Sequence, residues 1–233
     1  MARIDKSALT KMEIIQETSG QFLENGYTRT TVSSIAKALS MSPGNLTFHF
    51  PTKEHLLAEL VDMLCGYQWE LMKKEAADGH SQVMAICLEL VSMASACEDD
   101  EVIKDFFLSA YSSPLCLDII RRNDTKRAKE VFREYCPEWS KEQYVQAETL
   151  VSGVEYATLM TTDTSASLEA RISGALNTIL TIYNVPENIR TAKIQKALAL
   201  DYRALSKRVL WEFREYVNKT TEQSLYNILQ RRN

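Results

Sequence analysis

The sequence predicts an all-α protein, with a small N-terminal three-helix unit followed by a larger helical domain. Two observations carry this. Glycine and proline number only 7 and 5 in 233 residues, about 5% of the chain against a usual combined share of roughly 12%. The glycines stand singly, so neither the turns of an all-β protein nor the clustered glycines of a phosphate-binding loop can form. The five prolines all fall where a helical apolar period breaks, as expected of a residue that ends helices.

The elements follow in order. A first helix spans about 7–25, with Ile14, Ile15, Ser19, Phe22 and Leu23 inward and Gly26 as a left-handed cap. Thr30 or Thr31 caps a second helix, in which Val32, Ile35, Ala36 and Leu39 repeat at i, i+3, i+4, i+7. After the turn Leu39-Ser40-Met41, Ser42 serves as N-cap and Pro43 as first residue of a third helix ending near His49. Pro51 stops it, and Thr52 caps a long helix running from Lys53 toward Asp78. Two short helices joined by a three-residue turn make a helix-turn-helix. Its core takes Ile15, Phe22, Val32, Ile35, Ala36, Leu39, Met41, Leu46 and Phe50. Pro43, Gly44, Asn45, Thr47, Phe48 and His49 are left on the outer, N-terminal part of the third helix. Beyond Gly79 the pattern gives helices at about 81–98, 101–113, 115–135, 139–162, 165–184, 187–218 and 220–231, with no internal repeat. The expected division is a helix-turn-helix unit over 1–52 and a larger helical domain over 53–233, with helix 53–78 as connector.

Net charge is −4, which alone argues weakly against a nucleic-acid partner. Its distribution argues the other way. From Tyr27 to Lys53 there is no Asp or Glu, while Arg29, Lys37 and Lys53 are present. A surface that approaches phosphates needs such a gap in acids. Five cysteines at 65, 87, 97, 116 and 136 show no C-x-x-C spacing and read as buried free thiols of a reducing compartment. The N-terminus lacks the apolar stretch of a signal peptide. The most apolar run, Val83 to Cys97, is too short to span a bilayer and contains Glu89. A cytoplasmic protein without membrane contact is expected. The histidines are His49, His55 and His80, and neither His-x-x-x-His nor G-x-S-x-G occurs, so no enzyme, metal or cofactor is expected.

The segment GYTRTTVSSIAKALSMSPGNLTFHFPTKEHLL, Gly26 to Leu57, resembles the DNA-binding domain of TetR-family transcriptional regulators. The matching features are the aromatic after Gly26, Thr30-Thr31-Val32, Ile35-Ala36, Ser42-x-Gly44-x-Leu46, His49-Phe50 and Lys53-Glu54. The resemblance implies a ligand-responsive regulator, more readily a repressor, that binds a palindromic double-stranded operator as a homodimer and is released by a small molecule. Each subunit would place its third helix in a major groove. Ser42 and Pro43 leave that helix's first turn open, and Gly44 lets its backbone approach DNA. Asn45 and Thr47 can meet base edges or phosphate, and Phe48 a thymine methyl or a sugar. Thr30, Thr31 and Lys53 are candidate phosphate contacts. Lys37 and His49 join the set, with a solvated charge and helix packing as their plainer readings. Two departures stand out: Thr47 replaces the family's frequent Tyr, and Ser40 occupies a turn position where Gly is common, a strained choice if φ is positive.

For the larger domain the resemblance implies an effector pocket and the dimer interface. Trp69, Tyr111, Cys116, Trp139, Tyr156 and Met160 are pocket candidates, plain core packing being the other reading of each. Helices 139–162 and 165–184 are the expected interface; the second carries more apolar surface than one core needs, and two antiparallel copies would make a four-helix bundle. The basic residues of helix 187–218 are interleaved with acids, which suits a solvated helix that closes the pocket or extends the interface. A competing expectation is a helix-turn-helix scaffold acting through protein partners without binding DNA, motivated by the net acidity and the absent Tyr at 47.

Overall fold

A computed structural model describes residues 6–76 and 82–230. Among these, eleven helices and no strand form: α1 (Lys6–Asn25), α2 (Val32–Ala38), α3 (Pro43–His49), α4 (Lys53–Ala76), α5 (Gln82–Asp99), α6 (Glu101–Ser112), α7 (Pro114–Val131), α8 (Lys141–Leu159), α9 (Leu168–Ile182), α10 (Glu187–Leu198) and α11 (Tyr202–Gln230). Gly79, His80 and the ends expected near residues 78 and 81 lie outside the described residues.

The short helices begin and end where their caps dictate. Thr31, not Thr30, caps α2: its hydroxyl accepts the Ser34 N–H at 3.0 Å while the Ser34 hydroxyl accepts the Thr31 N–H at 3.1 Å. Ser42 accepts the Asn45 N–H at 3.1 Å to start α3, with Pro43 in the first turn. Thr52 accepts the His55 N–H at 3.4 Å at the head of α4. Gly26 has φ 86°, and an added Cβ would stand 2.7 Å from Asp105 Oδ2. Ser40 has φ 54°, so the serine bears the left-handed turn that a glycine would take without strain.

The larger domain wraps around α5, thirteen of whose eighteen residues are buried. The apolar run Val83–Cys97 is therefore a central core helix, and among the described residues no helix is long and apolar enough to cross a membrane. Several expected boundaries move. The helix expected over 115–135 ends at Val131, and Phe132 and Cys136 turn back into the core. Ser140 and Ser167 are N-caps, which delays α8 and α9 by two or three residues. The expected division into 187–218 and 220–231 is wrong. Asp201 accepts the Ala204 N–H at 3.0 Å and begins a new helix there, while Thr221 bonds the Val217 carbonyl at 2.8 Å and α11 continues through Asn218.

Three elements grip the N-terminal unit. α11 lies along α1, with Arg214 paired to Glu24 at 2.6 Å and Gln16 donating to Thr221. From α6, Asp105 accepts the N–H and hydroxyl of Thr28 at 2.7 and 2.5 Å. α4 follows α3 after three residues and packs chiefly on α7 and α5.

Candidate DNA interface and internal cavity

On α3, Leu46 is fully buried while Ser42, Pro43, Gly44, Asn45 and Phe48 are exposed. Phe48 is the extreme case, at 80% exposure for an aromatic ring. Nothing but the Ser42 hydroxyl, 3.9 Å away, comes near the space a Gly44 Cβ would fill. Thr47 is half-buried, its hydroxyl donating to the Gly44 carbonyl at 3.2 Å. His49 is half-buried too, with its ring edge-on to Phe48 at 5.2 Å. Lys37 and Thr31 are exposed on α2 and its cap. The segment that carries these side chains, residues 27–53, contains no Asp or Glu.

Two of the expected phosphate contacts are placed otherwise. Thr30 is 2% exposed, and its hydroxyl donates to the Gly26 carbonyl at 2.8 Å. Lys53 donates to the Tyr27 and Thr30 carbonyls at 2.9 and 3.0 Å and stands 4.0 Å from the Tyr27 ring centroid. Burial pushes its pKa down, with Asp105 opposing. Both residues knit the turn between α1 and α2 to α4. The Thr30 hydroxyl and the Lys53 ammonium read as phosphate ligands in sequence because their carbonyl partners lie 4 and 26 residues away.

Beneath the head, α4 to α9 enclose a narrow cleft of about 60 Å³. Of the six expected pocket residues, Tyr111 alone lines it. Trp69 is buried beneath the Arg127 guanidinium, 5.3 Å from its ring, and Cys116 is buried at the start of α7. Trp139 packs edge-on against Tyr144, Tyr156 leans on the core, and Met160 is exposed at the end of α8. What lines the cleft instead is a set of charges that the sequence reading did not single out. Arg127 pairs with Glu89 at 3.0 Å and Asp124 at 3.1 Å and donates to the Cys65 carbonyl of α4. Glu148 accepts the Tyr183 hydroxyl, and Glu155 accepts the Tyr111 hydroxyl at 2.9 Å. Burial pushes the Glu148 carboxyl up to about 7, and pushes Asp124 and Glu155 well above the usual carboxylate range. Burial likewise pushes Cys87 and Cys97 up to about 12, so these free thiols stay protonated and unreactive.

Residues 14–60 match the N-terminal domain of the tetR family of bacterial regulatory proteins. The chain carries a TetR-family domain. Over 54 residues it is 43% identical to QacR, an HTH-type transcriptional regulator of Staphylococcus aureus, the segment covering 23% of this chain and 29% of that protein. The chain thus spans under a third of that relative's length. Among solved structures, FadR of Thermus thermophilus, a TetR-family transcriptional repressor in complex with lauroyl-CoA, superposes with a TM-score of 0.56 at 18% identity. That likeness covers 75% of this chain and 95% of FadR. SmeT, the repressor of the Stenotrophomonas maltophilia multidrug efflux pump SmeDEF, gives 0.52 at 18%, covering 75% and 90%. The likeness of fold, at three quarters of this chain, therefore extends beyond the N-terminal unit into the larger helical domain.

Proposed function

We propose that this chain is a ligand-responsive transcriptional repressor that binds a palindromic operator as a homodimer and is released by a small molecule. The observation that carries the reading is the carboxylate-free stretch of α2 and α3, with Phe48 and Asn45 presented outward and the Gly44 backbone uncovered. Such a rod fits a major groove, where amide and hydroxyl side chains read base edges and an apolar ring meets a thymine methyl. The contact set is Thr31, Lys37, Ser42, Pro43, Gly44, Asn45, Thr47, Phe48 and His49. The chain divides at 52/53, and α4 serves as connector.

Homodimerisation is supported by the outer faces of α8 and α9, where Val145, Leu150 and Met160 stand exposed beside Gly153, Ala157, Ala170 and Gly174. Two such flat, small-residue faces pack closely as a four-helix bundle. The cleft touches the head by two short routes. Val61, Leu64 and Gln68 of its wall lie on α4, whose first residue anchors the α1–α2 turn. Phe106, Phe107 and Tyr111 lie on α6, whose Asp105 holds Thr28. A ligand that shifts either helix changes the spacing of two heads, which is a coupling free energy typically of about 1–3 kcal/mol. The setting is the cytoplasm, where operator DNA lies.

The test is a gel shift on DNA flanking the gene, at physiological salt, with sedimentation to give the oligomeric state. Asn45→Ala and Thr47→Ala each weaken binding by about 1–3 kcal/mol if they touch bases, with helicity and dimer mass unchanged. Equal retardation of the wild type and the double variant, or a monomer at working concentration, overturns the reading.

A further inference from the structure

Polar bonds hold the head to the larger domain in two places. The first is a single corner, the turn between α1 and α2. There Asp105 of α6 accepts the N–H and hydroxyl of Thr28, and Lys53 of α4 donates to the Tyr27 and Thr30 carbonyls. These anchors fall within four residues of chain, so they locate the corner but resist rotation about it poorly.

The second place is α1 itself, against α11. Gln16 donates to the Asn218 carbonyl at 3.4 Å and to the Thr221 hydroxyl. Arg214 pairs with Glu24 at 2.6 Å, its guanidinium lying 3.6 Å from where a Gly20 Cβ would stand. Gln16 and Glu24 are eight residues apart, about 12 Å along a helix, and both stand away from the corner. Supports spread along α1 supply the lever arm that the corner lacks.

α11 is in turn tied down along its length. The Tyr202 hydroxyl donates to Glu169 of α9 at 2.8 Å, and the Ser95 hydroxyl of α5 donates to the Tyr202 carbonyl at 3.4 Å. Arg203 pairs with Asp99 of α5, and Arg208 with Glu75 of α4 at 2.7 Å. Tyr67 of α4 donates to Glu212 at 2.8 Å and lies against the Phe213 and Tyr216 rings, with centroids 5.9 and 5.0 Å away. Phe213, Val217 and Thr221 carry the buried stripe on toward α1. From Tyr202 to Thr221 the helix runs about 28 Å, from the start of α9 to the middle of α1. None of the described residues that line the cleft belongs to it.

We propose that α11 is a strut that fixes the rotation of the head about its corner, with Arg214 and Gln16 as positioning residues, and so sets the half-site spacing that the homodimer accepts. The proposal rests on the operator-binding reading above and adds a positioning element outside the cleft. Spacing is a geometric property of a dimeric helix-turn-helix protein, because both heads must meet a groove at once. One base pair added between half-sites moves them about 3.4 Å apart and turns them by about 35°.

Arg214→Glu sets a carboxylate against Glu24 and should push α1 off the strut. Glu24→Arg in the same chain restores a pair of opposite charges. The pair is half-exposed, and such pairs add little stability, so both chains should melt within about 2 °C of the wild type. Full-length protein is titrated on operators that keep both half-sites and differ by single base pairs in the spacing between them. The wild type should lose about ten-fold in affinity on either side of its best spacing, and Arg214→Glu no more than about three-fold. The charge-swapped chain should regain the wild-type profile. A bond that merely stabilises the fold would weaken binding at every spacing alike. An unchanged profile for Arg214→Glu, a flattened one that the swap does not restore, or a wild type indifferent to spacing overturns the strut. A measurement without DNA separates this from failure of the operator reading. Spin labels go on Arg29→Cys and Lys126→Cys, both exposed sites, in chains diluted with unlabelled protein. Burial raises the pKa of every native thiol, which keeps label off them. Arg214→Glu should broaden the head-to-body distance distribution. If it broadens while no operator is retarded, the strut stands and the operator reading fails; if it does not broaden, the strut fails whatever DNA is bound.

Discussion

In the three-helix unit, the groups that shape the outer surface are fixed by neighbours three or four residues away: Thr31 with Ser34, Ser42 with Asn45, Thr47 with Gly44. Around the cleft, the corresponding partners stand far apart in the chain. Arg127 reaches 38 residues back to Glu89 and 62 back to Cys65, and Tyr111 reaches 44 forward to Glu155. The head shows polar atoms to solvent and keeps acids away, whereas the cleft gathers acids out of solvent. A surface built from local capping tolerates change at its outward residues. A buried charge network assembled from five helices does not, because each member is desolvated and relies on the others.

The largest test of that contrast is Arg127→Met. Removing one partner of a buried ion pair costs about 3–5 kcal/mol, and here two carboxylates lose it. At about 2–4 °C per kcal/mol for a chain of this size, the melting temperature should fall by roughly 10 °C. The fall should be larger at pH 8 than at pH 5. With the guanidinium gone, nothing opposes the burial that pushes the Asp124 carboxyl up, and it escapes its penalty only by taking up a proton, which low pH supplies. Restoring neutrality with Asp124→Asn in the same chain should recover part of the loss. Differential scanning calorimetry at the two pH values decides it, and a melting point unmoved by Arg127→Met would mean the acids are not held by this pair.

A paired glycine experiment sharpens the comparison within the head itself. Gly26 sits at φ 86° against Asp105, while Gly44 faces open space. Gly26→Ala should destabilise by about 2 kcal/mol, the cost of a left-handed L-residue, and the crowding of Asp105 also loosens its hold on Thr28. Gly44→Ala should leave thermal stability unchanged or slightly raised, since alanine favours helix by up to about 1 kcal/mol. Its effect belongs in the gel shift, where a methyl group between backbone and groove weakens operator binding. A melting-point drop for Gly44→Ala equal to that for Gly26→Ala would remove the distinction between an internal and an outward glycine.

How far each region was legible follows from the same difference in range. Ser42-Pro43, Thr31 with Ser34, and Gly26 announce their helix ends in sequence, because a cap is a contact over three or four residues. The misplacements of Thr30 and Lys53 arose where the partner was a carbonyl across a turn. In the larger domain, Glu89 inside the apolar run Val83–Cys97 was visible as an anomaly, yet it served only to exclude a membrane span. Glu148 and Glu155 sit seven residues apart on the stripe that also carries Tyr144, Val151 and Leu159, so they share the inward face of α8. Asp124 and Arg127, at i and i+3, are indistinguishable in sequence from an exposed pair. Aromatic residues drew attention as pocket candidates, but their chemistry suits core packing equally well, and only tertiary placement separates Tyr111 from Trp139.

The smallest expected effect concerns Ser40, where local coding itself is imperfect. The turn between α2 and α3 needs φ 54° at this position, a conformation costing an L-residue about 1–2 kcal/mol. The Ser40 hydroxyl is exposed and makes no hydrogen bond among the described residues. Ser40→Gly removes that cost but makes the unfolded chain more flexible, a loss of about 0.4–1 kcal/mol. The two together leave a net gain of about 0.5–1 kcal/mol, or roughly 2 °C in melting temperature. Because Met41 bonds back to the Ala36 carbonyl at 2.9 Å, the turn geometry is held by backbone as well as by residue 40. The glycine variant should therefore keep α3 in place and bind operator as the wild type does. A stability gain with reduced operator affinity would show instead that Ser40 presents its hydroxyl to DNA, which would add it to the outward contact set beside Ser42 and Lys37.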